Sequence, residues 1–354
     1  MRVHKILLLA AAMLSCVSVW GQKQEVDLTT VPALQELGNK LLKGKQGSIV
    51  AIKPSTGEVL CLVSSTTSTS MINRGITGIY PPGSTFKVAQ ALMMYTEGVV
   101  DKETSFGCDL GFYKDEVKVG CHRHASPLNL VNALAYSCNA WFCQSFMSMI
   151  GNTERYRSYW RAMNTWNEYM QSMGFGHTLG IDMKNEAAGL MPDGQWMMKK
   201  YGENWTEKNV MYLAMGQGQL TVTPLQLCNL AATIANRGYY YTPYIHPSTA
   251  RKYPVKYSTK QYTKASREAY DQVIAGMRAA VVKGTATGIN TREYSICGKT
   301  GTVENSGADH SAFIGFAPMY NPQIAIAVYV ENGGFGADVA APIAASIIKA
   351  YIKK

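Results

Sequence analysis

The sequence predicts a mixed α/β protein of the α+β type, with one antiparallel sheet built from both chain ends around an inserted helical lobe. Three observations predict this class. Runs rich in β-forming residues lie near both ends of the 354 residues, and the stretch between them has helical periodicity. The composition, 47% hydrophobic and 16% charged, is that of an ordinary globular protein.

The first sheet element is predicted to be a hairpin over residues 48–63, SIVAIKPSTGEVLCLV. Two β-rich runs flank the turn-forming segment Pro54–Gly57. A helix is predicted ahead of it in PALQELGNKLLKG. From Ser84 to about Ile234 the pattern is mostly helical, and Thr223-Pro224 there has the cap and first-turn proline of a helix start.

β-character returns near the C-terminus, in YSICGKTGTV, HSAFIGFAP and QIAIAVYVEN. The last run is interrupted at Gly333-Gly334, and DVAAPIAASIIKAYIKK then closes the chain as a helix with a basic end that suits its dipole. Two early and three late strands therefore predict a single sheet made by both ends of the chain.

The N-terminus has the features of an export signal. A basic start precedes the apolar run Ile6–Trp20, which is short for a membrane span, and Val19 and Gly21 suit cleavage before Gln22. The expected divisions are a signal peptide at 1–21, a lead-in at 22–46 and the main domain at 47–354. An uncleaved anchor is the second alternative and lipoprotein processing the third. The predicted location is the periplasm or the outer face of the cytoplasmic membrane.

The charge suits a polyanionic neighbourhood, while a dispersed solvated surface is the favoured explanation for most of the charged residues. The formal net charge is +10, and removing Arg2 and Lys5 with the leader leaves +8. A basic exported protein suits a cell wall or membrane surface. Because no dense run of Lys and Arg with interleaved aromatic residues occurs, nucleic acid is not a predicted partner.

The cysteines allow two interpretations. Seven follow the leader, so at least one is free or pairs between chains. Cys108 and Cys121 enclose a short polar stretch that suits a disulfide loop. Alternatively, Cys121 and His124 could ligate zinc with Cys108 and Cys138. Because this spacing matches no compact zinc-finger pattern, a disulfide or free thiols are favoured, and neither a metal nor a cofactor is predicted.

PPGSTFK contains a candidate nucleophile and base. If Ser84 begins a helix, Lys87 lies on the same face one turn on. A serine hydroxyl needs a base to become a nucleophile, and a lysine serves as one where its pKa is lowered. The same spacing recurs at Ser346 and Lys349 in the terminal helix. The pair alone is therefore better explained by a capped helix than by a catalytic pair.

Two further motifs change this interpretation. Ser137-Cys138-Asn139 is predicted on a turn between helices, and Lys299–Thr302 in a late β-run, where a glycine lets another backbone approach. Each alone fits a polar or tight turn. The ordered trio S-x-x-K, S-x-N and K-T-G, however, is that of penicillin-binding proteins and serine β-lactamases.

The sequence resembles the transpeptidase domain of class B penicillin-binding proteins, especially the penicillin-binding protein 2 type. YPPGSTFK, SCNAWFCQ, GIDMKNEAAGLMPDGQW, GQGQLTVTPLQL, VVKGTATG, GKTGTVEN and DHSAFIGFAP all carry the likeness, between roughly Gly47 and Ile348. The resemblance implies a penicillin-binding/serine β-lactamase-like fold. It also implies a D,D-transpeptidase whose partners are peptidoglycan stem peptides, β-lactam antibiotics and cell-wall synthesis proteins.

The resemblance also implies the catalytic roles. Ser84 attacks the carbonyl between two terminal D-alanines, and Lys87 takes the serine proton. Ser137 relays a proton to the leaving D-alanine while Asn139 holds the acyl amide. Lys299 supports Ser137 and the substrate carboxylate electrostatically.

Substrate binding is implied at the K-T-G strand. Thr300, Gly301 and Thr302 line the substrate there, and the backbone N–H groups of Ser84 and Thr302 form the oxyanion hole. β-Lactams are expected to acylate Ser84 by the same route as the stem peptide.

Alternative functions would proceed through the same acyl-enzyme. Water as acceptor makes the protein a D,D-carboxypeptidase or β-lactamase, which is disfavoured because no segment resembles a deacylating E-x-x-L-N context. A β-lactam or muropeptide sensor would need a transmembrane connection. The sequence ahead of Ser84 has room for one helix and the first hairpin, and we expect it to lack the pedestal region of family members.

Overall fold

The computed structural model of the protein describes residues 27–65, 72–114 and 117–353. The predicted signal peptide at 1–21 lies outside the described residues. Within them, no helix combines the length and hydropathy that crossing a bilayer requires.

The strands of the described residues form one large sheet and several two-stranded ones. They are β1 (Gln46–Ile52), β2 (Val59–Ser64), β3 (Ser105–Phe106), β4 (Gly111–Lys114), β5 (Val117–Gly120), β6 (Leu128–Asn129), β7 (Tyr239–Tyr240), β8 (Gln261–Tyr262), β9 (Cys297–Val303), β10 (His310–Ala317) and β11 (Ile324–Glu331).

The helices lie mainly between β2 and β9. They are α1 (Pro32–Leu41), α2 (Arg74–Thr77), α3 (Lys87–Thr96), α4 (Leu130–Ala135), α5 (Asn139–Ile150), α6 (Thr153–Tyr156), α7 (Tyr159–Ser172), α8 (Gly194–Tyr201), α9 (Pro224–Ala235), α10 (Pro247–Lys252), α11 (Pro254–Ser258), α12 (Arg267–Lys283) and α13 (Ala340–Ile352). Short 3₁₀ helices cover Gly83–Phe86, Glu207–Met215 and Thr287–Ile289.

The large sheet has the order β2-β1-β11-β10-β9 and is antiparallel throughout. Its first two strands are the predicted hairpin, and its last three are the predicted late runs. β1 pairs directly with β11, so the two ends of the chain meet in the middle of the sheet. The prediction of one antiparallel sheet assembled from both chain ends is confirmed.

Both faces of this sheet are buried, which explains why its strands are so apolar. In β11, Ile324, Ile326 and Val328 belong to a core shared with α1 and α13. The intervening Ala325 and Ala327 belong to the larger core that includes α9 and the helical lobe. Because side chains alternate along a strand, each face of the sheet receives every second residue.

Helix α9 covers one face of the sheet, and the sequence predicted its start. Thr223 Oγ1 accepts the Gln226 N–H while the Gln226 side chain accepts the Thr223 N–H, and Pro224 is the first helical residue. This capping box satisfies amide groups that would otherwise be unpaired in the core. Every residue of α9 is buried.

Candidate active site

The nucleophile candidate Ser84 lies on a tight turn beside the edge strand β9. Pro81-Pro82 lead into the 3₁₀ helix Gly83–Phe86, and α3 begins directly after it at Lys87. The α-helix was predicted to begin at Ser84, so its start is three residues later than expected. A 3₁₀ helix has three residues per turn, so the side chains at positions i and i+3 lie one above the other. Ser84 and Lys87 therefore still lie on the same side of the helix.

Two backbone contacts fix this turn. Gly83 has a left-handed φ of +56° and donates its N–H to the Gly216 carbonyl over 2.9 Å. On the preceding side, the Tyr329 hydroxyl donates to the Pro81 carbonyl over 3.1 Å. The Tyr329 ring stacks on Tyr80 at 4.5 Å between centroids. The turn is therefore tied both to the core strand β11 and to the loop after residues 207–215.

Lys87 is fully buried beneath the turn and reaches the second motif. Its Nζ donates to Asn139 Oδ1 over 2.5 Å, to the Ser137 carbonyl over 2.8 Å and to Ser137 Oγ over 3.3 Å. Burial disfavours the ammonium form and lowers the pKa of Lys87 to about 8. A lysine with such a pKa is available as a base near neutral pH.

The S-x-N motif forms the predicted turn between two helices, α4 and α5. Ser137 has a left-handed φ of 56°, a strained conformation for a non-glycine residue that often marks functional sites. Its side chain is almost buried. Asn139 begins α5, and its Nδ2 donates to the Gly120 carbonyl at the end of β5 over 2.8 Å. The carboxamide is thus held between Lys87 and the β4–β5 hairpin.

The third motif lies on β9, as predicted. Lys299 is fully buried, and its Nζ donates to the Thr300 carbonyl over 2.9 Å. Burial, and secondarily the charge of Lys87, hold the pKa of Lys299 well below its usual value. The charge of Lys87 therefore opposes protonation of Lys299.

Close packing joins β9 to the nucleophile turn. A Cβ on Gly301 would lie 2.9 Å from Thr85 Cγ2 and 3.2 Å from the Pro82 carbonyl, so this position accepts only glycine without a shift. The Thr300 hydroxyl bonds that of Thr285 over 2.6 Å. The prediction that glycine allows another backbone to approach this strand is confirmed.

These elements enclose an open cavity of about 850 Å³. Side chains of all three motifs line it, namely those of Ser84, Ser137, Asn139, Thr300 and Thr302. Lys87 and Lys299 lie buried beneath them. A cleft of this size suits a peptide-sized ligand. Assignment of the oxyanion hole to the N–H groups of Ser84 and Thr302 stays a prediction.

A second cluster of reactive side chains adjoins the cleft. Cys108, Cys121, His124 and Cys138 place their ligand atoms within 4.8 Å of one another, and all three cysteines are free thiols. Cys121 Sγ lies 3.4 Å from His124 Nε2. A hydrogen bond from Cys138 holds the pKa of Cys121 well below its usual value. We call these four residues the thiol–histidine cluster.

The cluster has the donor set of a zinc site. Three sulfurs and one imidazole nitrogen are a common donor set for structural zinc. His124 Nδ1 lies 2.7 Å from the Ala125 carbonyl, a bond that makes Nδ1 the protonated nitrogen and leaves the Nε2 lone pair facing the sulfurs. Sequence spacing disfavoured zinc because the ligands come from three separate segments. The sequence signal that pointed to this site was the segment CHRH, Cys121 to His124, close to Cys108 and Cys138.

The fold and the order of the three motifs place the protein in the penicillin-binding fold class. A family model described as the penicillin binding protein transpeptidase domain matches residues 47–349. The chain therefore belongs to this family, as its motifs predicted.

Individual relatives support the same placement. The peptidoglycan D,D-transpeptidase MrdA of Acinetobacter baumannii is 31% identical over an alignment of 358 positions, which covers 87% of this chain and 51% of that protein. The chain spans about half the length of the curated relatives it matches.

Solved structures agree with the fold. The crystal structure of Pseudomonas aeruginosa PBP2 superposes with a TM-score of 0.80 at 31% identity, covering 92% of this chain and 78% of that one. A second solved structure is described as "Structural coordination of polymerization and crosslinking by a peptidoglycan synthase complex". It superposes with a TM-score of 0.76 at 25% identity, covering 92% of this chain and 62% of that one.

Proposed function

We propose that this protein is an exported serine D,D-transpeptidase that cross-links peptidoglycan stem peptides through an acyl-enzyme on Ser84. The observation that carries the proposal is the buried Lys87, whose Nζ contacts both Ser137 and Asn139 one 3₁₀ turn from the nucleophile. The name of the A. baumannii relative supports the activity. The basic start and the apolar run Ile6–Trp20, followed by a cleavage site before Gln22, support export.

The first half-reaction acylates Ser84. Its Oγ attacks the carbonyl between the two D-alanines, and neutral Lys87 takes the hydroxyl proton. The new bond joins Oγ to the carbonyl carbon, and the peptide C–N bond breaks. Ser137 lies within hydrogen-bond range of Lys87 Nζ and passes the proton to the departing amine. Asn139 holds the acyl amide.

In the second half-reaction, an amine of a neighbouring peptide strand attacks the ester, which releases Ser84 and forms the cross-link. Thr300 and Thr302, on the cleft wall above buried Lys299, hold the substrate carboxylate. We further propose cell-wall synthesis proteins as partners, as in the peptidoglycan synthase complex of the 25%-identical relative.

A fluorescent penicillin tests the activity. We expect one covalent label per chain on Ser84, located by peptide mass spectrometry, and none after Ser84→Ala. Folded protein that takes up no label would refute the proposal. Decay of the acyl-enzyme then separates the classes: persistence over many minutes supports a transpeptidase, and loss within seconds supports a carboxypeptidase or β-lactamase.

The rate of acylation should depend on pH through Lys87. Only the neutral amine can accept a proton, so the rate should rise with pH and level off above the Lys87 pKa of about 8. Well below that value, each lower pH unit should slow acylation about tenfold. The measurement is the second-order acylation rate constant with a β-lactam that does not titrate in this range. A flat profile would contradict the assignment of Lys87 as the base.

We also propose that the thiol–histidine cluster holds a structural zinc ion. The supporting observation is the convergence of four ligand atoms within 4.8 Å, with His124 oriented by the Ala125 carbonyl. Protein purified with zinc should contain about one zinc per chain. Protein in which cobalt replaces zinc should show thiolate-to-cobalt charge-transfer bands in its absorption spectrum. Cys121→Ser should lose the metal and Cys61→Ser, a buried cysteine outside the cluster, should keep it. Zinc-free protein after refolding with zinc would refute this site.

A further inference from the structure

The thiol–histidine cluster is joined directly to the catalytic S-x-N motif. Cys138 stands between Ser137 and Asn139 in the chain, and its Sγ caps α5 by accepting the Trp141 N–H over 3.4 Å. Cys121 Sγ accepts the Asn139 N–H over 3.4 Å. Because Asn139 Oδ1 binds Lys87 Nζ, the sulfurs are one residue away from the catalytic base.

We propose that Cys121 and Cys138 are an oxidation site at which hydrogen peroxide forms a disulfide, releases the metal and slows acylation of Ser84. The inference rests on the proposed active site and metal site. Cys121 lines the cleft, so a small oxidant in solvent reaches it. Cys61, Cys143, Cys228 and Cys297 are fully buried elsewhere, which makes them poor targets.

The chemistry balances with peroxide as the oxidant. The Cys121 thiolate attacks one peroxide oxygen, the O–O bond breaks, and a sulfenic acid forms as hydroxide leaves and takes a proton from solvent to become the first water. The Cys138 thiol then attacks the sulfenic sulfur, an S–S bond forms and the second water leaves. The two sulfurs lose two electrons, which the peroxide gains. The disulfide sulfurs no longer serve as thiolate ligands, so the zinc ion departs.

The geometry of the cluster explains why formation of the disulfide should slow acylation of Ser84. A disulfide holds its sulfurs about 2.05 Å apart, so the Sγ atoms of Cys121 and Cys138 must approach each other before they can bond. That movement disturbs the cap of α5 and the bond from Asn139 N to Cys121 Sγ. Displacing Asn139 by even about 1 Å is enough to lower a rate up to about a hundredfold.

The experiment treats the zinc-loaded protein with hydrogen peroxide. Zinc release is followed with a chromogenic chelator, disulfides by peptide mass spectrometry, and acylation by the rate of fluorescent penicillin labelling. We expect a Cys121–Cys138 bridge, released zinc and a labelling rate lowered at least about tenfold. Dithiothreitol with added zinc should restore the rate.

Three variants make the test specific, each compared with its own untreated rate. Cys138→Ser keeps a capping oxygen but cannot form the bridge, so peroxide should not slow it. Cys108→Ser keeps the pair and should respond at lower peroxide because its metal is held by fewer thiolates. Cys61→Ser should respond like the parent.

The outcomes separate the three proposals. A bridge with an unchanged labelling rate, or equal slowing in Cys138→Ser, would overturn this inference while leaving the metal and active sites standing. Absence of zinc before treatment would refute the metal site and the release of metal from it, whereas bridge formation and the labelling rate would still test oxidation of Cys121 and Cys138. Absence of labelling in untreated protein would refute the proposed transpeptidase itself.

Discussion

Replacing Lys87 by methionine should slow acylation of Ser84 by a fluorescent penicillin about 10³-fold, the range expected when a general base is removed. Methionine fills most of the space of the buried lysine stem, so the protein should still fold. The variant lacks the amine that takes the Ser84 proton. It also leaves Asn139 Oδ1 and the Ser137 carbonyl without the donor they have here.

The chain contains a matched control. Ser346 and Lys349 repeat the same spacing in α13, where the Ser346 hydroxyl donates to the Pro342 carbonyl and Lys349 is exposed. Lys349→Met should label at the parent rate. Thermal unfolding of both variants checks that rate differences do not arise from unfolding. Normal labelling of Lys87→Met would exclude Lys87 as the base.

The comparison of these two pairs shows what the sequence could and could not predict about the site. Both have a serine and a lysine three residues apart, and burial and contact with a second motif distinguish them. Lys87 lies under the nucleophile turn and against a motif some fifty residues away, whereas Lys349 faces solvent. Spacing identified the residue types, but the lowered pKa of Lys87 follows from long-range packing.

The sheet was predictable because its signal is local. The run Ile324–Glu331 is apolar at nearly every position, as expected for a strand with both faces covered, and the Pro54–Gly57 turn marked the first hairpin. The start of α3 was less predictable. The residues at the turn before it are held by Gly216 and Tyr329, both distant in sequence, so local helix signals placed the boundary three residues early.

The thiol–histidine cluster was the hardest feature to anticipate. Its ligands precede β4, follow β5 and cap α5, so they meet only after the β4–β5 hairpin packs on the lobe. Zinc-finger spacings apply to ligands carried by one compact motif. Here the fold brings the ligands together, and the same packing joins Cys121 to Asn139.

Gly216→Ala should both destabilise the protein and slow acylation. Gly216 has a φ of +73°, and its carbonyl accepts the Gly83 N–H. A Cβ there would overlap the Gly83 carbonyl oxygen and lie 2.8 Å from Phe86 Cβ. The left-handed backbone costs a non-glycine residue about 1–2 kcal/mol, and overpacking adds about 1–3 kcal/mol. Relief of the clash must move the turn that carries Ser84, so labelling should slow about a hundredfold.

Gly44→Ala separates the two contributions to this effect. Gly44 has a φ of +74°, and among the described residues none apart from Gly44 and its two chain neighbours has an atom within 4 Å of the position that a Cβ would take there. Alanine at this position therefore meets the backbone strain without the clash. We expect it to lower the free energy of unfolding by about 1–2 kcal/mol and to label at the parent rate. Urea unfolding and the labelling rate measure both quantities. If Gly216→Ala labelled as fast as Gly44→Ala, the contact between Gly216 and Gly83 would not be what positions Ser84 for attack.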